Sequence, residues 1–208
     1  MVIANSPPTL TILENGDRLD RLEFERRYTA SSIKKAELIE GIVYVASLLR
    51  FTPHAEPHGR ITGWLIAYQA MSSGLKVGIE PTVRLDIDNE PQPDAVLFRL
   101  GGKAQIDEDG YITGSPELIV EIAASTVSYD LHAKKRAYER NGVKEYIVWR
   151  TLEQAIDWFV LENGQYVELA PDASGIIHSC EFAGLRLNVS AILNGDMATV
   201  LRGERSGL

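Results

Sequence analysis

The chain has 208 residues, of which 45% are hydrophobic and 24% charged, and a formal net charge of 21 − 29 = −8. That length and balance fit one globular domain with a sizeable core, and the negative charge argues against a protein that coats nucleic acid non-specifically. No apolar run approaches the roughly 20 residues needed to span a bilayer, and the single cysteine, Cys180, excludes an internal disulfide and a cysteine zinc cage.

The opening words "MVIANSPPTLTILENGD" lack a basic segment followed by an apolar block, so the expected location is the cytoplasm. Residues 1–19 are polar, contain prolines and show no period, which predicts a loose arm ahead of one domain over 20–208. "RLDRLEFERRY" (18–28) reads as a short surface helix with Leu19, Leu22 and Phe24 turned inward. "KKAELIEGIVYVAS" reads as a short helix or turn that passes through Gly41 into a strand. Residues 57–73 carry apolar side chains at 61, 64, 65, 68 and 71, a helical spacing that Gly74 stops.

"LKVGI" and "TVRLDI" read as strands separated by Glu80-Pro81, "DNEPQP" as a turn, "DAVLF" as a strand and 101–110 as a loop. "PELIVEIA" reads as a central strand: Leu118, Val120 and Ile122 share one face, and Ile119, Glu121 and Ala123 the other. "DLHAKKRAYERNG" is a predicted helix with Gly142 past its end, followed by the strand "KEYIVW". "QAIDWFVL", "GQYVELA" and "GIIHSCEF" predict an antiparallel meander, and "SAILNGDMATVLRG" a helical end. The expected class is α/β, with strands before and after a middle helix.

Glu121 stands in the middle of an apolar strand, where an unpaired carboxylate costs several kcal/mol. Asp94 opens the strand after a proline turn. If the two strands are neighbours, both carboxylates meet at one sheet edge and need a proton or a cation between them. Oxygen ligands of this kind suit a hard ion such as Mg²⁺. At 100° per residue, Asp130, Lys134, Ala137, Tyr138 and Asn141 fall on one helix face, with Arg136 and Arg140 turned away. An inward Lys134 beside two carboxylates suits the positioning of a nucleophilic water or the steadying of a phosphate. The segment 130–150 holds six Lys/Arg and three Asp/Glu, a local balance of 6 − 3 = +3.

Each of these residues also has a purely structural reading. Asp94 can be a turn residue and Glu121 the salt-bridge partner of Lys134. Glu37 can be a solvated helix residue, His58 a surface histidine at a helix start, Asp130 a helix N-cap and Tyr138 a packing residue whose hydroxyl touches the site. His54, His132 and His178 show no ligand spacing, and Trp64, Trp149 and Trp158 read as core.

"PD" at 93–94 followed by Glu121 in a central strand resembles the PD-(D/E)XK nuclease superfamily. The phrases "AELIEG", "HGRITGWL", "QPDAVLF", "PELIVEI", "YDLHAKKRAYERNGVKEYIVW" and "IDWFVLENGQY" occur in order over most of 17–170 and resemble the Uma-type restriction endonuclease family. That resemblance implies a restriction-endonuclease-like mixed central sheet flanked by helices. It implies Mg²⁺ (with Mn²⁺ as substitute) held by Asp94, Glu121 and the carbonyl of Ile122, with Glu37 on an early helix completing the acidic cluster. Lys134 is then the catalytic lysine, Gln92 lies near the site and His58 begins a helix beside the cleft. The implied activity is endonucleolytic hydrolysis of nucleic acid, DNA first, by a homodimer. Two words depart from the pattern. Ala123 occupies the superfamily's usual lysine position, a change the family shares by moving the lysine to the next helix. "AAST" and "VWR" replace the "SPST" and terminal aspartate of many relatives. A catalytically inactive binding or scaffold protein on the same fold is the competing expectation.

Overall fold

The computed structural model describes residues 12–46 and 48–204, so most of the expected N-terminal arm lies outside the described residues. The described part of the arm is tied down: Leu13 is buried, and Asn15 and Asp17 accept backbone hydrogen bonds from Val45 and Val43.

Helix α1 (Arg21–Thr29) is capped by Asp20, whose Oδ1 accepts from Glu23 N at 2.9 Å. Phe24 is its buried residue, whereas Leu22 is exposed, so only part of the expected inward stripe faces the core. Strands β1 (Ala36–Ile39) and β2 (Ile42–Val45) form a hairpin, in place of the helix or turn expected before Gly41. The reason is the turn. Glu40 and Gly41 both take positive φ, 54° and 70°, the two-residue geometry that matches strand twist and ends a helix. Ala36 and Leu38 pack with Leu13, Phe24 and Val43, so alternation sends Glu37 to the opposite side.

A five-residue π-helical turn, Phe51–Ala55, leads into α2 (Glu56–Met71). Ile61, Trp64, Leu65 and Tyr68 of α2 are buried, as their spacing predicts, and Met71 is not. There follow β3 (Leu75–Ile79), the short β4 (Val83–Arg84), β5 (Ala95–Arg99), β6 (Gln105–Ile106), β7 (Ile112–Thr113) and β8 (Leu118–Ala123). The expected strand "TVRLDI" is reduced to two residues. Residues 101–110 are not wholly loop, because β6 pairs with β7, and β7 with β4, in a three-stranded side sheet. After β8 come α3 (Val127–Tyr129), a π-helical turn (Asp130–Lys134) and α4 (Lys135–Asn141), which Gly142 ends at φ 78°. Strands β9 (Glu145–Arg150), β10 (Ala155–Glu162) and β11 (Gln165–Glu168) continue the chain. β12 (Ile176–His178) pairs only with β13 (Arg186–Asn188), so the third segment of the expected meander leaves the main sheet. Helices α5 (Val189–Leu193) and α6 (Met197–Glu204) close the described chain. Among the described residues no helix is long and apolar enough to cross a membrane.

The main sheet has the order β11-β10-β9-β8-β5-β3. β8 and β9 are parallel and joined through α3 and α4, as a parallel pair requires a crossover, and the other neighbours are antiparallel. Alternation along β8 splits the core. Leu118, Val120 and Ile122 pack with Ile61, Trp64, Leu65 and Trp158 on one face. Ile119 and Ala123 pack with Tyr138, Tyr146 and Phe159 on the other, the face that also carries Glu121.

Candidate metal and catalytic centre

The centre forms where two neighbouring strands separate. The β5–β8 ladder runs from Leu97↔Leu118 to Ala95↔Val120 and stops. Asp94 stands one residue before β5, and Glu121 one residue past the last pair. The Asp94 side chain takes the place of the missing ladder: its Oδ2 accepts from Ile122 N at 2.7 Å. Ala123 C=O accepts from Thr151 N on the β9 side. Carbonyls alternate along a strand, so the Ile122 carbonyl leaves toward the Asp94 side.

Lys134 enters from the π-helical turn. Its Nζ lies 2.9 Å from Glu121 Oε1, 2.9 Å from Glu37 Oε1 and 3.9 Å from Asp130 Oδ1. Tyr138 OH donates to Glu121 Oε1 at 2.7 Å, so both hydrogen bonds to Glu121 fall on one oxygen. Glu37 Oε1 also accepts from Gln92 N at 2.7 Å, which fixes the QPD turn to β1. Asp94 Oδ1 faces His54 Nε2 at 3.2 Å and Lys35 Nζ at 3.9 Å. These groups line a cleft of about 750 Å³, whose lining also includes Arg50, His132 and Arg136.

Four carboxylates (Glu37, Asp94, Glu121, Asp130) meet two ammonium groups (Lys35, Lys134) here, a balance of 2 − 4 = −2. The titration behaviour follows from this excess. Burial pushes the Glu121 carboxyl well up, and the charges of Asp130, Asp94 and Glu37 add to it against the pull of Lys134. Burial likewise raises Asp130 to about 6, opposed by Lys134. Burial penalises the Lys134 ammonium, but Glu121, Glu37 and Asp130 outweigh that and hold it charged. For Asp94, burial works upward and is overcome by His54, Lys35 and the Ile122 N–H, so its carboxyl is lowered. A cleft floor whose carboxyl groups outnumber its ammonium groups by two, with oxygen donors, fits a divalent cation whose charge would favour the ionised Glu121, with Asp94, Glu121 and the Ile122 carbonyl as donors.

The sequence profile of the family described as "Uma2: Putative restriction endonuclease" matches residues 21–190. The chain belongs to this family. Among solved structures, the "putative nuclease belonging to DUF820 from Anabaena variabilis ATCC 29413" superposes with a TM-score of 0.61 at 15% identity, over 81% of this chain and 96% of that one. At that identity the likeness is one of fold. The type IIG restriction endonuclease BpuSI aligns at 15% identity over 77% of this chain and 18% of that chain, with a TM-score of 0.38, too low to argue from. No curated protein matches the chain.

Several details of this Uma2-family centre differ from the sequence expectations. Glu37 reaches Lys134 from a strand, not from a helix. Asp130 is not an N-cap: it is buried, within the helical run that Thr126 precedes, and its own N–H is bonded to Thr126 O. His58 is half-buried, with Nε2 2.7 Å from the backbone oxygen of Asp94. Arg136 points to the cleft mouth and not away from it. Tyr138 packs and touches the site at once, as its i+4 spacing from Lys134 predicts. His54 shows ligand spacing after all: "HAEPH" (54–58) puts two histidines one helical turn apart, and the π-helical turn carries the first of them over Asp94. Lys35 was also missed, and its only signal was its nearness to Glu37 in sequence.

Proposed function

We propose that the chain is a divalent-metal-dependent endonuclease that hydrolyses phosphodiester bonds in nucleic acid, DNA first. The observation that carries this reading is the buried array of Asp94, Glu121, Glu37 and Lys134 at the fork between β5 and β8, on a cleft floor where carboxyl groups outnumber ammonium groups. Asp94, Glu121 and the Ile122 carbonyl would hold Mg²⁺, or Mn²⁺ in its place, which would supply positive charge beside the phosphate. Lys134 donates hydrogen bonds at the cleft floor and orients the attacking water. Glu37 keeps the Lys134 ammonium charged and directed, and Tyr138 fixes the Glu121 oxygen that faces it. Gln92 and His58 hold the Asp94 turn in place, and Asp130 adds negative charge beside Lys134. The water oxygen bonds to phosphorus as the in-line bond to the sugar oxygen breaks, the water gives a proton to solvent, and the departing oxygen takes one up from solvent. The form expected to cut both strands of a duplex together is a homodimer, the commonest symmetric assembly.

The test is cleavage of supercoiled plasmid and of single- and double-stranded oligonucleotides in Mg²⁺ or Mn²⁺. Glu121→Gln is expected to lose at least about 100-fold in rate, and unchanged cleavage by that variant would sink the enzyme reading. A scaffold reading has one observation in its favour: the Lys134 ammonium already pairs with Glu121 without a metal ion. Thermal melting separates the two. A metal centre gives a Mn²⁺- or Mg²⁺-dependent rise in Tm that Asp94→Ala abolishes, whereas a closed salt bridge gives no rise.

A further inference from the structure

His54 is nine-tenths buried in the π-helical turn ahead of α2, with its ring edge-on to that of His58 at 5.8 Å between centroids. Its Nε2 lies 3.2 Å from Asp94 Oδ1, the oxygen turned away from Ile122. Its Nδ1 is buried and has no hydrogen-bond partner among the described residues. In the metal-free protein Nε2–H therefore hydrogen-bonds to Asp94 Oδ1, and because no partner holds Nδ1, the neutral ring can carry its proton there once a cation replaces the Nε2 proton.

His58 is committed differently. Its Nε2 sits 2.7 Å from the Asp94 carbonyl oxygen, which only accepts, so that nitrogen carries the proton. The possible ligand atoms of His54, His58 and Asp94 lie within 4.8 Å of one another, but His54 is the ring whose Nε2 is turned to the carboxylate. Two adjacent ligands on a six-coordinate ion with bonds of about 2.1 Å stand about 3 Å apart, close to the observed spacing of Nε2 and Oδ1.

We propose that His54 is a ligand of the metal centre, with Nε2 and Asp94 Oδ1 on adjacent coordination positions, and that it tunes the site toward a Mn²⁺-class transition ion over Mg²⁺. Carboxylate and carbonyl donors suit Mg²⁺ and Mn²⁺ alike, whereas imidazole favours the transition ions. The inference rests on the metal reading of Asp94 and Glu121 and adds to it a nitrogen ligand and a selectivity.

Pulsed electron paramagnetic resonance of Mn²⁺-loaded wild-type protein tests it without any assay of activity. The expected spectrum shows modulation from a directly coordinated ¹⁴N. His54→Gln is expected to lose that modulation, to weaken Mn²⁺ at least about tenfold, the scale on which loss of even an outer partner acts, and to narrow the Mn²⁺ over Mg²⁺ preference in calorimetric titration. His178→Gln, at an exposed position of β12 outside the cleft, is expected to keep the modulation. Bound Mn²⁺ without nitrogen modulation in the wild type overturns the proposal, whether or not the variants fold. So does modulation that survives in His54→Gln or disappears in His178→Gln. Mn²⁺ that fails to bind, or binds equally well to Asp94→Ala, removes the metal reading itself and this inference with it.

Discussion

Lys134 is almost wholly buried and serves three carboxylates, and this determines what each single substitution does. Lys134→Met leaves Glu37 and Glu121 facing each other without a counter-charge. Breaking a buried pair in this way costs about 3–5 kcal/mol, so this variant is expected to melt well below the wild type in apo form. Glu121→Gln keeps an oxygen for Lys134 and Tyr138 and removes a charge from a crowded negative site, so it is expected to fold normally while losing cleavage. Measured melting curves of the two variants must therefore diverge, and equal losses would contradict the geometry. A second residue-scale prediction concerns Glu90, buried outside the cleft beside Glu25 and Arg84. Burial, with a hydrogen bond and charge from Glu25, lifts its carboxyl from 4.5 to about 8. A group raised in the folded state stabilises below its unfolded value, and that contribution is lost as pH rises through the folded one. The wild type is thus expected to lose several degrees of Tm between pH 5 and pH 9, and Glu90→Gln to flatten that decline. A slope unchanged by Glu90→Gln would assign the titration elsewhere.

The elements that build the site are short and depend on their turns. The Glu40-Gly41 turn converts "AELIEGIVYV" into a hairpin, and that hairpin delivers Glu37. The π-helical turn at Asp130–Lys134 delivers Lys134, and a second, at Phe51–Ala55, delivers His54; single π turns recur at functional sites. Two glycines separate conformational cost from steric cost. Gly142 takes φ 78° at the end of α4, with only the flexible Lys103 Nζ at 3.8 Å from a built Cβ, so Gly142→Ala is expected to cost about 1 kcal/mol. Gly114 takes φ 82°, and its Cβ would stand 2.4 Å from the backbone oxygen of Lys103, so Gly114→Ala must displace the side sheet. Urea denaturation should show a loss for Gly114→Ala at least about 1 kcal/mol larger than for Gly142→Ala. Equal losses would mean that the segment at Lys103 yields freely.

At the scale of the molecule, a net charge of −8 is combined with a cleft floor in negative excess. Under the proposed function, phosphate binding would therefore depend on the cation and on the basic groups lining the cleft, Arg50 and Arg136. In fluorescence anisotropy at moderate salt, a duplex oligonucleotide is expected to bind weakly in a chelator and at least about tenfold more tightly in Ca²⁺, with Arg136→Ala lowering affinity and the salt slope together. Affinity equal in chelator and Ca²⁺ would place the nucleic acid somewhere other than this cleft.

The periodic elements were legible in the sequence because a period reports burial directly. The alternation in "LIVEIA" placed Glu121 opposite Leu118, Val120 and Ile122, and the helical spacing of 134, 137 and 138 placed Lys134 and Tyr138 inward. The family was legible through ordered phrases, and the contact of Lys134 with Glu121 through the need to neutralise a mid-strand carboxylate. Other features depended on contacts between distant segments. A hairpin turn, not propensity, made the Glu37 segment a strand. The end of the β5–β8 ladder, which no local pattern marks, freed the Ile122 N–H for Asp94. The placing of His54 against a carboxylate 40 residues along the chain came from the packing of the helix start on the β5 turn. Local chemistry sets which residues can act, and the separation of two strands decides which of them meet.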